Sequence, residues 1–405
     1  MFQNIFYQSA SQSLSRDIEQ STLPPSMLFS GPAASGKLSC ALETARVLSC
    51  TQGGDEGCSC PSCAGYKSLF STNLLLCGSG NRVLEIAASK KAFLEQVVNG
   101  TPYIEASRLL FIRATRKLTL KFAPALWEGE DKLSKIDATL QIIEDGLALV
   151  ENMADFSDTA KIEKRLDEIE KAGAKLEDEY LYSSLPVQQV RNISNWAAFK
   201  SDSGAKVVII ENAHMMQESA KNALLKTLEE PPPSVFFILT TTKRGAMLPT
   251  ILSRLRDYHF TERTGQQQQD VLDRVFHCTE VGNSINEYLL SFLKTKPEEA
   301  KREGELFARE ALSGRLPDTG RAMKCCANFS PKILFSLFAQ GAMQACGTHS
   351  QTGLAAESSF LALHEIRRAL IAVETYNLSP LAALESLSVA LLKAARSTGA
   401  VGGKA

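Results

Sequence analysis

The 405-residue sequence predicts an α/β protein with a doubly wound parallel sheet followed by an all-helical part, and three observations carry that expectation. The stretch SMLFSGPAASGKLSCALETARVLSC runs a short apolar strand, Met27 to Phe29, through a glycine-bearing turn into an apolar-periodic helix. Two further strands, KVVIIE and VFFILTTT, are apolar almost throughout, as strands covered on both faces are, and one helix separates them. After Arg263 no strong strand candidate remains. Strands that alternate with helices place functional loops at their carboxyl ends.

The first such loop is GPAASGKL, Gly31 to Leu38. Gly31, Gly36 and Lys37 fit a phosphate-binding loop, in which glycines let backbone N–H groups close around phosphate oxygens and a lysine adds charge. Leu38 stands where such a loop needs Ser or Thr for magnesium, and Ser39 comes one residue late. At the end of KVVIIE, Glu211 is followed by Asn212, an amide that cannot act as a base. Two of three catalytic parts are therefore absent, so a degraded phosphate loop and a plain glycine-rich turn both remain open, and ATP binding is doubtful.

The loop after the first helix, CTQGGDEGCSCPSC, brings Cys50, Cys58, Cys60 and Cys63 together. Ten cysteines in a chain this long do not make a disulfide scaffold, and four clustered thiols suit a closed structural zinc site. The Cys58–Cys60 spacing is tighter than usual, which leaves partly ligating thiols as the alternative. After VFFILTTT, the stretch MLPTILSRLRDYHF carries Arg254, which reads either as an arginine finger for a neighbouring subunit's phosphate or as a surface arginine. The five histidines form no ligand or triad pattern.

Residues 79–184 differ in character, rich in charge and helix formers, and read as an insertion. Apolar residues at Leu133, Ile136, Leu140, Ile143, Leu147 and Val150, then at Ile162, Leu166, Ile169 and Leu176, predict two heptad-like helices joined at DFSDT. They form a hairpin of their own or pack as ordinary amphipathic helices on the main body. Before them, Arg108, Arg113, Arg116, Lys117 and Lys121 predict a solvated basic face, with nucleic-acid contact as the alternative. Near the end, Ser379 and Pro380 are the N-cap and first residue of a last helix.

Composition narrows the function classes. Forty-four basic residues against 45 acidic ones exclude coating of nucleic acid by bulk charge. MFQNIFYQSASQS lacks the basic and apolar regions of a signal peptide, and no apolar stretch is long enough to span a bilayer, so a cytoplasmic protein with no membrane partner is expected.

In their order, these pieces resemble the clamp-loader branch of the AAA+ proteins, and within it the delta-prime type of bacterial DNA polymerase III. NALLKTLEEPPPSVFFILTTT and LPTILSR look like family signatures, and PVQQVRNISNWAAFKSDSGAKVVIIENAH and NLSPLAALESL fit the same family. The resemblance implies an AAA+ core in two parts, 1–78 and 185–262, a small helical lid, 263–318, and a helical collar, 319–405, with 79–184 as an insertion that it does not account for. It also implies a chain that does not hydrolyse ATP itself and lends Arg254 to its neighbour. Motor and delta subunits are its implied partners, and the sliding clamp and primed DNA are met through the complex. An active gamma/tau-type ATPase using Ser39 and Glu211, and an adaptor working through the insertion, are the alternatives.

Overall fold

The computed structural model describes residues 1–130, 132–199, 204–278, 284–349, 356–374, 376 and 378–397. The Leu133 side chain of the heptad reading, residues 200–203 of the family stretch and the end of the collar reading from 398 lie outside them. Contacts divide the chain into two bodies, Met1–Leu289 and Leu290–Ala405.

The first body holds a five-stranded parallel sheet in the order β2-β3-β4-β1-β5. Its strands are β1 (Ser26–Ser30), β2 (Leu74–Gly78), β3 (Lys206–Glu211), β4 (Val235–Thr241) and β5 (Arg256–His259). In register, Met27 pairs with Ile238 and Leu76 with Ile209. The first four strands are buried almost end to end, which is why apolar runs encode them. β5 is an edge strand in which only Tyr258 is buried.

Alternation along the strands sorts the core. Met27, Phe29, Leu76 and Ile209 face one layer with α1 (Ser9–Glu19), α2 (Lys37–Leu48) and α3 (Pro61–Lys67). Leu28, Leu75, Val208 and Leu239 face the other, where the helices of residues 79–184 pack. These are α4 (Val83–Asn99), α5 (Ile104–Thr119), α6 (Pro124–Trp127), α7 (Leu133–Glu151) and α8 (Thr159–Glu179), followed by α9 (Val187–Ala198) and α10 (Glu218–Glu229). α7 and α8 pack as a hairpin and also against α4 and α5, so both sequence alternatives describe the same arrangement. Asp158 caps α8 by accepting the Lys161 N–H at 3.0 Å. After β4 come α11 (Pro249–Leu252), then β5, α12 (Gly265–Phe276) and α13 (Ile285–Leu290).

The expected solvated basic face is overturned. Arg113 donates to the carbonyls of Tyr66 and Lys67, Arg116 donates to that of Ser68 and pairs with Glu151, and Lys117 pairs with Glu85. Lys121 is 2% exposed. α5 turns this face inward because loop carbonyls and two carboxylates there satisfy the charges, which leaves no basic stripe for nucleic acid.

The second body is helical: α14 (Pro297–Leu312), α15 (Thr319–Cys325), α16 (Ile333–His349), α17 (Ala356–Glu374) and α18 (Pro380–Ser397). Ser379 caps α18, its Oγ accepting the Ala382 N–H at 3.2 Å. Among the described residues no helix is long and apolar enough to cross a membrane.

Candidate functional site

The loop after β1 sits at the carboxyl edge of the sheet, beside the central strand pair where ligands bind in open α/β sheets. Gly31, at φ 146°, passes so close to the residue after β5 that a Cβ would stand 2.2 Å from the Phe260 carbonyl oxygen. Gly36, at φ 92°, is the left-handed N-cap of α2. Lys37 turns back on its own loop, donating to Gly31 O at 2.9 Å, to Pro32 O and to Ser35 Oγ at 3.1 Å. Burial lowers its pKa to about 8, with Glu211 opposing the shift and Arg263 adding to it. Ser39 is exposed and Leu38 packs with the apolar layer beneath the sheet, so neither brings a hydroxyl to the loop.

Arg263 fastens the loop from outside. Its Nη1 donates to Ala34 O at 2.7 Å, and its Nε and Nη2 donate to Phe6 O. Sequence reasoning passed over this residue because nothing in its spacing marks it.

At the end of β3, Glu211 is buried between two cations. Arg82 Nη2 pairs with its Oε1, and Lys121 Nζ lies 2.8 Å from its Oε2. Burial alone would raise the pKa of Glu211, but the charges of Arg82 and Lys121 outweigh it and hold the carboxyl at about 2. Asn212, in the left-handed region at φ 49°, donates its amide to Ser79 O at 2.9 Å. Thr241 Oγ1 lies 3.0 Å from His214 Nδ1, and burial together with Lys243, Lys221 and Lys37 lowers that imidazole to about 4.

The four cysteines converge. Their sulfur atoms all lie within 4.8 Å of one another, at the end of α2 and the start of α3. The surrounding donors point at sulfur: Gln52 N and Gly54 N donate to Cys50 at 3.3 and 3.2 Å, and Arg46 Nη1 donates to Cys63 at 3.0 Å. N–H groups of Cys63 and Thr51 pull the Cys60 thiol down to about 5. Four sulfurs at this spacing, with N–H donors around them, fit a tetrahedral zinc ion and leave no position for a substrate. Arg46, buried and also bound to Glu43 and Gly54 O, ties this loop to α2.

Arg254 stands apart from both groups, after α11, where Nε donates to Glu229 Oε1 at 2.6 Å and Nη1 to Thr250 O. Glu229 ends α10 and was not singled out in the sequence.

A family model described as DNA polymerase III, delta subunit, matches residues 7–127 and 147–264. The match runs through most of the helical stretch 79–184 and leaves out 128–146, which holds most of α7. No curated protein matches. Among solved structures, a gamma subunit-related protein of DNA polymerase III from Thermotoga maritima is similar at 20% identity, over 53% of this chain and 81% of that one, with a TM-score of 0.25. With more than half of its length matched by that family model, the chain belongs to the DNA polymerase III delta subunit family of clamp-loader components.

Proposed function

We propose that this chain is a non-hydrolysing, delta-prime-type subunit of a clamp loader, a stator that keeps the nucleotide-binding architecture and supplies Arg254 to an ATP site in a neighbouring motor subunit. One observation carries the reading: the chain's own loop brings no hydroxyl after Lys37, while Arg254 is 30% exposed at its side chain, where another subunit can reach it. A guanidinium beside a transferring phosphoryl group stabilises its developing charge, so an arginine remains useful in a subunit whose own site is silent. In this reading Cys50, Cys58, Cys60 and Cys63 hold a structural zinc. Residues 263–318 form the lid and 319–405 the collar, and the complex works in the cytoplasm on the sliding clamp at primed DNA.

The test is ATP turnover by the purified chain, alone and mixed with motor and delta subunits. No turnover alone, with turnover in the mixture that falls when Arg254→Ala replaces wild type, is the expected result. Turnover by the chain alone that is abolished by Lys37→Ala would make it a gamma/tau-type motor.

A further inference from the structure

A phosphate-loop fold places a divalent cation between a loop hydroxyl and a carboxylate at the end of another strand of the same sheet, here β3, one strand removed from β1. Residues here do not fit that ion. Leu38 offers no oxygen, and both oxygens of Glu211 already face cations. Lys121 is anchored further by donating to Gly78 O at 3.0 Å and Gly80 O at 3.4 Å. Arg82 pairs with Glu85 at 2.9 Å, and Glu85 with Lys117 at 2.5 Å. Glu177 of α8 accepts the backbone N–H groups of Arg82 and Val83 at 2.6 and 3.2 Å, so the turn that carries Arg82 is held as well. Three carboxylates and three cations thus close into one buried cluster. A metal entering at Glu211 would have to expel Arg82 and Lys121 from it, leaving the buried Lys121 without a carboxylate and Arg82 with Glu85 alone, which Lys117 already holds.

We propose that Arg82 and Lys121 take the place of the divalent cation: the end of β3 binds no metal, and Glu211 serves instead as the anchor that fastens the helices of residues 79–184 to the sheet. The inference stands independently of the role given to Arg254.

The experiment pairs thermal unfolding with manganese binding, read on the full chain from the electron paramagnetic resonance signal of free Mn²⁺. A carboxylate kept for a metal can lose its charge at little cost to the fold, but an anchor cannot. Glu211→Gln is expected to lower Tm by about 10 °C or to prevent folding, because it strands the buried Lys121 and leaves Arg82 to share Glu85 with Lys117. The triple variant Arg82→Gln, Lys121→Met, Glu211→Gln, which removes all three charges, is expected to recover most of that loss. Wild type is expected to leave the signal of millimolar Mn²⁺ unchanged. An unchanged or higher Tm for Glu211→Gln would overturn the proposal, as would Mn²⁺ binding by wild type that Glu211→Gln abolishes. If Glu211→Gln does not fold, the wild-type manganese measurement still decides.

Discussion

Arg254 and Glu229 are joined through Nε and Oε1 at 2.6 Å, which ties the chain just beyond α11 to the end of α10. Their side chains are 30% and 45% exposed, and a pair this open to water contributes at most about 1 kcal/mol. Arg254 is therefore dispensable as far as the fold is concerned. Arg254→Ala should leave Tm of the isolated chain unchanged and reduce turnover of the assembled complex by roughly a thousandfold or more if the motor depends on this guanidinium. Steady-state ATPase assays beside a melting curve separate the two effects, and a melting point that drops with the rate would point to a structural arginine.

Zinc content gives a second prediction. Wild type should carry about one zinc per chain by elemental analysis, and Cys60→Ser or Cys63→Ser should carry almost none. Hydrogen exchange should then quicken between Cys50 and Lys67, where Arg46 and the cysteine sulfurs organise the loop, while β1, β3 and β4 keep their protection. Equal zinc in wild type and both variants would remove the cysteines as ligands.

Glu177 predicts how stability depends on pH. Burial raises its carboxyl from 4.5 to about 7, against the N–H groups of Arg82 and Val83 and the charge of Lys121. Between those two values the folded chain keeps a proton that the unfolded chain has released, so this group's contribution to stability falls as pH rises from about 4.5 to about 7. Glu211 acts in the opposite sense. Its lowered pKa contributes stability that is present above 4.5 and lost as pH falls toward about 2. Glu177→Gln should stabilise the protein by up to about 3 kcal/mol at about pH 8 and change little at about pH 5. Urea titrations at the two values test it, and an equal effect at both would show that Glu177 does not titrate in this range.

In the second body, α14 and α16 touch backbone to backbone. A Cβ on Gly304 would stand 1.9 Å from Phe338 O, and one on Gly341 would stand 1.9 Å from Lys301 O. Alanine favours a helix over glycine by about 1 kcal/mol, but here it has to push two packed helices apart at a cost of about 3 kcal/mol or more. Gly341→Ala should therefore destabilise this body by roughly 2 kcal/mol, seen as an earlier transition in thermal unfolding. A stabilised variant would mean that the helices do not approach this closely.

What could be read from the sequence depended on the range of the interaction that sets each feature. β1, β3 and β4 announced themselves because burial on both faces demands unbroken apolar runs, and the Asp158 and Ser379 caps because capping is local. β2, Leu74–Gly78, is as short as β1 but runs into the charged stretch that follows it, with no glycine-bearing motif such as GPAASGK to mark its end. β5 escaped because an edge strand with one buried residue, Tyr258, shows no pattern. The cysteines and Lys37 were found by spacing. Their supporting residues Arg46 and Arg263 were not, since an arginine that binds loop carbonyls looks the same in sequence as one in water. The inward turn of Arg113, Arg116, Lys117 and Lys121 is the same failure on a larger scale, because helical periodicity records which residues share a face and not what that face meets.

The clasp on Glu211 also has a consequence for how the chain is made. Arg82 is separated from Glu211 by 129 residues, so at about 5–20 residues per second the ribosome delivers the carboxylate on the order of ten seconds after the guanidinium. Burying Lys121 before then would cost several kcal/mol with no carboxylate to offset it, and Arg82 would have Glu85 alone. The turns before α4 and after α5 keep these two side chains hydrated until β3 emerges, so the helical layer closes over the sheet only after its central strands have been synthesised.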